Sequence, residues 1–521
     1  MLFKNKLLFA ILLIGGFLRF FNIANSPPSL NWDEAALGYN AYSILHTAKD
    51  EYGVTLPLIT RSFDDYKSML PAYAMVISVA VFGLNETGVR LPSAFFSTLS
   101  ILLIYHLAKK LLKSPEAALL ASFFFAIEPW ALHLGRVYHE ATFALFFYLA
   151  SIYLFLESRK KDKLLLLALA CGIVSLFSYH TNKVLVPTTF LLFAFLYRKQ
   201  LGIYSKKIRL ASLVLVASGG LIFIHQIVFA NALARAESAS ILRAAKLFDV
   251  PVQVILRYLS YFLPANLFAL VPKEPASEVP GNSMFFPYEI IFWFVGLVSI
   301  FSKLKKHKTL LGLIVVSPIA ASLTWNWFEP ARVLSLFSFY SMLIGLGAWL
   351  IWTKSSSFYR VIYVAFFVPL SIMSIFYIFD SINYKVAARV YGNWQPGFRE
   401  SMPTVYSKSF DYKEVVIDTP HAQPYIFALF YSKYPPKKYL NELDLQKIGN
   451  PRKVYDFGKF VFRSVDFSKN KKTPDYLYVL WKESPGFGQF SDGELAYVKE
   501  VKNVDGDTIV QIVSFKNSNE K

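Results

Sequence analysis

Residues 69–84, MLPAYAMVISVAVFGL, decide how the rest of this sequence is threaded. The run is apolar, follows Lys67, and is nearly as long as a membrane span, which takes about 20 mostly apolar residues. If it crosses a bilayer, every basic cluster between residues 109 and 209 falls outside the cell. If it lies along the surface as an amphipathic or re-entrant helix, all six basic clusters fall inside: Lys4/Lys6, Lys109/Lys110/Lys113, Arg159–Lys163, Arg198–Arg209, Lys303–Lys308 and Lys354/Arg360. Lys and Arg in short loops are retained on the cytoplasmic side, so the surface placement is expected.

Outward from that run, apolar stretches predict about eleven spans, at roughly 7–23, 91–108, 116–133, 141–157, 164–180, 184–197, 210–230, 288–302, 309–325, 332–352 and 361–379. The 521 residues are 55% hydrophobic and 17% aromatic, too apolar for an ordinary soluble globule. A net charge of +19 is spread over short clusters between apolar runs, which argues against nucleic acid and for membrane loops. The lone Cys171 excludes an internal disulfide. Ala24-Asn25-Ser26 only loosely resembles a signal cleavage site, so residues 7–23 are read as a retained span.

This threading faces residues 24–90, 134–140, 180–183, 231–287 and 326–331 outward, with the N-terminus cytoplasmic. It divides the chain into an all-α membrane domain, 1–380, and a small extracytoplasmic α/β domain, 381–521. The tail is rich in Lys, Asp, Tyr and Pro and carries β-prone runs at Val415–Ile417, Tyr476–Leu480 and Thr508–Val513. Between them, Gln423–Lys433 predicts an amphipathic helix bounded by Pro435-Pro436.

The outward loops hold the polar residues. Asp33 and Glu34 follow the first span, where charge is costly unless paired or used. Asp33 also suits a helix cap, accepting from first-turn amides. Phe63-Asp64-Asp65-Tyr66-Lys67 precedes the decisive run, and its lysine could equally snorkel toward headgroups. Glu128 to Glu140 packs Glu128, His133, Arg136, His139 and Glu140 between two spans. The spacing of six between the histidines does not put both on one helix face, which argues against a metal site. Lys183 and Arg332 lie at the outer ends of later spans. Lys67, Arg136, Lys183 and Arg332 would suit an anionic headgroup such as a lipid phosphate, while an Arg136–Glu140 pair at helical spacing is the plainer account of that one pair.

The carboxylate pair after the first span, the lysine before the surface helix, Val89-Arg90-Leu91-Pro92-Ser93-Ala94 opening the next span and the arginine-bearing second outer loop together resemble the GT-C glycosyltransferases. Relatives of protein O-mannosyltransferases and aminoarabinose transferase are nearest, over roughly residues 1–230. The resemblance implies inverting transfer of a sugar from a polyprenyl-phosphate carrier to a hydroxyl of a protein, lipid or glycan, without a metal or other cofactor. It makes Asp33 the general base, has Glu34 position the acceptor, and sets Lys67, Arg136, Glu140, Lys183 and Arg332 around the donor. The tail segments Tyr391–Trp394 and Gln423–Pro435 resemble parts of the same group and would either line an acceptor site or pack a core. The rival readings are a transporter or flippase, which should carry its charges near the bilayer midplane, and a membrane-anchored scaffold.

Overall fold

A computed structural model describes residues 2–63, 65–229, 240–243, 247–269, 282–385, 394–395, 397–420, 423–442, 456–503 and 506–516. In chain order the first ten helices are α1 (Leu2–Phe20), α2 (Trp32–Thr47), α3 (Leu70–Phe82), α4 (Glu86–Leu112), α5 (Pro115–Ile127), α6 (Pro129–Arg136), α7 (Glu140–Ser158), α8 (Leu164–Leu176), α9 (Asn182–Leu196) and α10 (Lys206–Phe229). The chain forms two compact units, both discontinuous: Met1–Ile23 with Arg90–Val386, and Ala24–Val89 with Ala387–Lys521. The first outer loop therefore belongs with the tail, not with the helices that flank it.

In the helical unit each of the eleven expected spans overlaps a helix. Among the described residues, five helices are long and apolar enough to cross a membrane: α4, α7, α10 and those within Pro330–Lys354 and Ser357–Tyr384. A sixth arises if α5 and α6, bent by 57°, form one broken span. Helices α8, α9 and Glu289–Ser302 are shorter. Thirteen residues of α8 reach only about 20 Å at the helical rise, against a core of about 30 Å.

Prolines explain part of the shortening. Glu128 is held extended at φ −60°, ψ 122° before Pro129, because the residue preceding a proline is pushed out of the helical region. Pro129 then opens α6 where its missing N–H costs nothing, and the Glu128 carboxylate accepts from the amides of Trp130, at 3.3 Å, and Ala131. A second break separates Leu304–Val316 from Ile319–Ser322, at Pro318.

Ion pairs join helix ends within the helical unit. Lys4 near the start of α1 pairs with Glu116 at the start of α5, and Lys110 at the end of α4 pairs with Glu157 at the end of α7. Residues 4 and 116 therefore share one end of the helical unit.

At the centre of this unit lies Leu334–Lys354, buried on all sides from Leu334 through Ala348. Lipid tails are as apolar as leucine, so such helices are held by close packing rather than by escape from water. Gly347 makes the closest approach possible, since a Cβ there would stand 2.7 Å from the Phe292 carbonyl carbon.

The second unit combines α2, α3 and the hairpin of β1 (Ile59–Ser62) and β2 (Asp65–Ser68) with the tail. The tail contributes β3 (Glu414–Ile417), β4 (Phe460–Phe462), β5 (Tyr476–Trp481), β6 (Leu495–Lys502) and β7 (Thr508–Phe515) in the order β4-β3-β5-β7-β6. Strand β3 runs parallel to β4 and β5, and the other pairs are antiparallel. The helix expected over Gln423–Lys433 forms at Pro424–Tyr431, but every residue from Pro424 to Phe430 is buried, so it is a core helix and not an amphipathic one. Each large side chain so buried contributes roughly 1.5–3 kcal/mol. It packs on α2 at Gly38, where a Cβ would meet Val89 and Phe430 at 2.7 and 2.8 Å.

Arg399 and Tyr431 tie the tail to the loop. The Arg399 guanidinium donates to the carbonyls of Ala24 and Pro28, each at 3.1 Å, and lies 3.4 Å from Glu86. The Tyr431 hydroxyl donates to Glu86 at 3.0 Å. Trp394 is buried, whereas Tyr391, Gly392 and Asn393 lie outside the described residues.

Candidate functional site

Asp33 is positioned by the start of α2. The cap is Asn31, whose side chain accepts from Glu34 N at 2.8 Å while Glu34 Oε2 accepts from Asn31 N at 3.2 Å. That reciprocal pair satisfies the first amides of the helix and leaves Asp33 with no capping duty. Glu34 is wholly buried and engaged in holding the helix start. The Asp33 carboxylate instead meets Lys67, at 2.7 Å from Oδ2 to Nζ, with the aspartate side chain 38% exposed and the lysine 11%.

Lys67 is delivered by the hairpin. On β2 it stands opposite Thr60 on β1. The Thr60 hydroxyl donates to Asp50 Oδ2 at 2.8 Å, and Asp50 Oδ1 accepts from Tyr52 N and Val54 N at 3.0 and 2.8 Å. The neighbouring Glu51 is clamped by Asn40 on α2, which donates to Oε1 at 3.0 Å and accepts from Glu51 N at 2.8 Å. Burial pushes the Glu51 carboxyl up to about 8, against the lowering effect of the Asn40 hydrogen bond. Burial also raises Asp50, opposed by its bonds from Thr60 and the turn amides.

These supports were not anticipated from the sequence. An acidic pair followed by Tyr-Gly reads as a solvated turn, and nothing in the sequence marks it as buried.

Within the helical unit the remaining expected residues divide. Arg136 ends α6 fully buried, its guanidinium donating to Leu18 O at 2.6 Å and to Asn383 Oδ1 at 3.4 Å. The helix stops there: Val137 and His139 are extended, and Glu140 begins α7. The continuous turn that would pair Arg136 with Glu140 at spacing four is therefore absent. His139 caps α7 while His133 is buried on α6, and among the described residues no group of three or more His, Cys, Asp or Glu is disposed to hold a metal.

Of Glu140, Lys183 and Arg332, only Arg332 lines a small cleft, which Ala141 and Asn182 reach from two other segments. Its walls include Tyr148, Tyr179, Thr181, Asn182, Arg332 and Ser335, next in sequence to Glu140 through Ala141 and to Lys183 through Asn182. Arg332 sits on the 3-10 turn Pro330–Val333, and its Nη1 is buried with no hydrogen-bond partner among the described residues. A guanidinium nitrogen left so in a polar-lined cleft has capacity for an anion.

Two further arginines, Arg19 and Arg90, are buried in this unit without having stood out as site residues in the sequence. Arg19 donates to Ser97 at 2.6 Å and to the carbonyls of Gly15 and Ala126, and Arg90 donates to Ile23 O at 2.9 Å. With Arg136 they tie off carbonyls at the ends of α1 and α5, where a helix leaves acceptors unsatisfied.

A family model described as dolichyl-phosphate-mannose-protein mannosyltransferase matches residues 66–223. No curated protein matches in sequence. Among solved structures, ArnT from Cupriavidus metallidurans bound to undecaprenyl phosphate aligns with a TM-score of 0.55 at 11% identity, over 99% of this chain and 98% of that one. The archaeal oligosaccharyltransferase AglB from Archaeoglobus fulgidus, in complex with an inhibitory peptide and a dolichol-phosphate, aligns at 0.53 and 13%, over 82% of this chain. This chain spans 63% of that protein's length. At such identities the likeness is one of fold, and the chain has the GT-C fold.

Proposed function

We propose that this protein is an inverting glycosyltransferase that moves a sugar from a polyprenyl-phosphate carrier to a hydroxyl acceptor at the outer face of a membrane. The observation that carries the reading is the Asp33–Lys67 pair, a reachable carboxylate beside a cation, on a chain with the GT-C fold. The mannosyltransferase match over residues 66–223 and the polyprenyl phosphates bound by the two structural relatives support the donor class.

In this reaction the acceptor oxygen attacks the anomeric carbon as its proton passes to the Asp33 carboxylate. The bond from that carbon to the phosphate oxygen breaks, and the carrier phosphate leaves with the electron pair. A single displacement inverts the centre. Phosphate departs without a proton, so one base is enough, unlike the two carboxylates of a glycosidase. Lys67, beside Asp33, neutralises the charge that grows on the leaving group, so the step itself calls for no metal. Arg332, Lys183 and Glu140 are proposed donor-binding residues of the helical unit, Glu34 holds α2 in place, and Arg136 is a packing residue.

The basic clusters support a cytoplasmic N-terminus and an extracytoplasmic tail. Eleven crossings remain our reading, with α8, α9, Glu289–Ser302 and Leu304–Val316 completed by their flanking residues.

Reconstitution in liposomes with a polyprenyl phosphate carrying a labelled sugar tests this against a transporter. Transfer predicts label in an acceptor and free polyprenyl phosphate in equal amounts. Label that crosses the bilayer still attached to its carrier would reject it.

A further inference from the structure

We infer that the helical unit holds an anionic phospholipid, its phosphate between Arg159, Arg198 and Lys308 and an acyl chain along Leu191 and Phe195. Three segments converge there. Tyr197, buried just past the end of α9, has two cations at its ring. The Arg159 guanidinium, which follows α7, lies 5.7 Å from the ring centre, and the Lys308 ammonium, on the helix Leu304–Val316, lies 5.8 Å from it. The Tyr197 hydroxyl is hydrogen-bonded to Thr309 at 2.7 Å, and Lys308 Nζ donates to Leu196 O at 3.4 Å, so the ring is fixed between the two helices. Arg198, the next residue, stands 5.9 Å from the centre of the Phe195 ring.

One aromatic ring attracts a cation, but a second cation gathered at the same ring is repelled by the first. The nearby acids do not offset that repulsion. Glu157 is taken by Lys110 and Lys160, and Asp162 accepts from the Ser205 hydroxyl at 3.2 Å. Among the described residues no carboxylate pairs with Arg159, Arg198 or Lys308. Retention of Lys and Arg in short loops accounts for how many cations lie at this end of the unit, but not for three of them meeting from separate segments. A basic pocket between the ends of membrane helices is suited to a lipid phosphate, and the guanidinium fork matches its oxygens.

The apolar surface beside the cluster makes the anion a lipid. Leu191 and Phe195, four residues apart on one face of α9, are each 69% exposed, and Arg198 stands at the ring that ends this stripe. A free phosphate would use the charges and leave the stripe uncovered. A phosphatidylcholine would cover the stripe but bring a cation of its own to the cluster. This inference does not depend on the transferase reading.

The test titrates the full chain, in neutral detergent, with phosphatidylglycerol carrying a pyrene acyl chain, read by energy transfer from tryptophan. It should bind at least about tenfold more tightly than the same lipid with a choline headgroup, some 1.4 kcal/mol. Arg159→Gln with Lys308→Gln should remove that advantage, whereas Lys161→Gln with Lys163→Gln, which deletes the same charge from exposed neighbours, should change affinity by less than about twofold. Arg198→Gln alters a single exposed side chain and should weaken binding about threefold with the unfolding temperature unchanged, so it decides the matter even if the first double variant does not fold. Equal losses in the two double variants would overturn the inference, since a diffuse field would then suffice. So would equal affinity for the choline lipid, or displacement of the probe by inorganic phosphate at the lipid's own concentration, which would make the ligand a soluble anion.

Discussion

In the unit formed by Ala24–Val89 and the tail, Lys67 faces a carboxylate that is more than a third exposed. In the helical unit, Arg136 is sealed from its surroundings and its guanidinium is engaged by Leu18 and Asn383. The two cations occupy equivalent places in the sequence, each beside an apolar run. The difference teaches that availability of charge depends on which backbone acceptors the fold leaves open nearby. Lys67 arrives on a hairpin that sets its ammonium against the Asp33 carboxylate. Arg136 arrives at a helix end that abuts unsatisfied carbonyls, which take it.

This contrast can be broken from either side. The largest effect is expected at Lys67→Ala, which should lower transfer about 100-fold, the scale of a lost electrostatic contact to a leaving group, while the unfolding temperature hardly moves. Arg136→Gln should do the opposite, costing about 2–3 kcal/mol of stability through its charged hydrogen bonds and leaving turnover per folded molecule within about twofold. A stable but inactive Arg136→Gln would return that residue to the donor site. Arg332→Gln should raise the donor KM about tenfold, some 1.4 kcal/mol, with kcat and the unfolding temperature little changed.

The smallest effect concerns support. Glu51 keeps its proton in the folded state up to about pH 8 but loses it near 4.5 when unfolded. The stability it contributes is therefore full below pH 4.5 and is lost as the pH rises through 8. Glu51→Gln retains the acceptor for Asn40, so its unfolding temperature should fall less steeply than that of the parent between pH 5 and 8. Parallel curves would mean that Glu51 is ionised in the folded protein.

The helices were legible because twenty-residue apolar runs have few alternatives, and three of the five tail strands because Val415–Ile417, Tyr476–Leu480 and Thr508–Val513 are rich in β-branched and aromatic residues. Strand β4 has only three residues, and β6 is an edge strand whose Lys499, Glu500 and Lys502 hide it among charged turns. At the site, Asp33 was legible as a carboxylate next to a span, but the choice between cap and free side chain was not. Asn31, two residues earlier, takes the cap, and only the backbone geometry of that turn decides between them. The Arg136–Glu140 pair, offered as the plainer alternative at helical spacing, fails because the chain is extended at Val137 and His139 between α6 and α7.

Asp33→Asn gives the most direct test. It keeps the size of the side chain and removes its capacity to take a proton. With a labelled polyprenyl-phosphate sugar, the variant should bind donor within about twofold of the parent and unfold at the same temperature, yet transfer sugar at least about 100-fold more slowly, the usual contribution of a general base. Transfer within a few-fold of the parent would contradict the account.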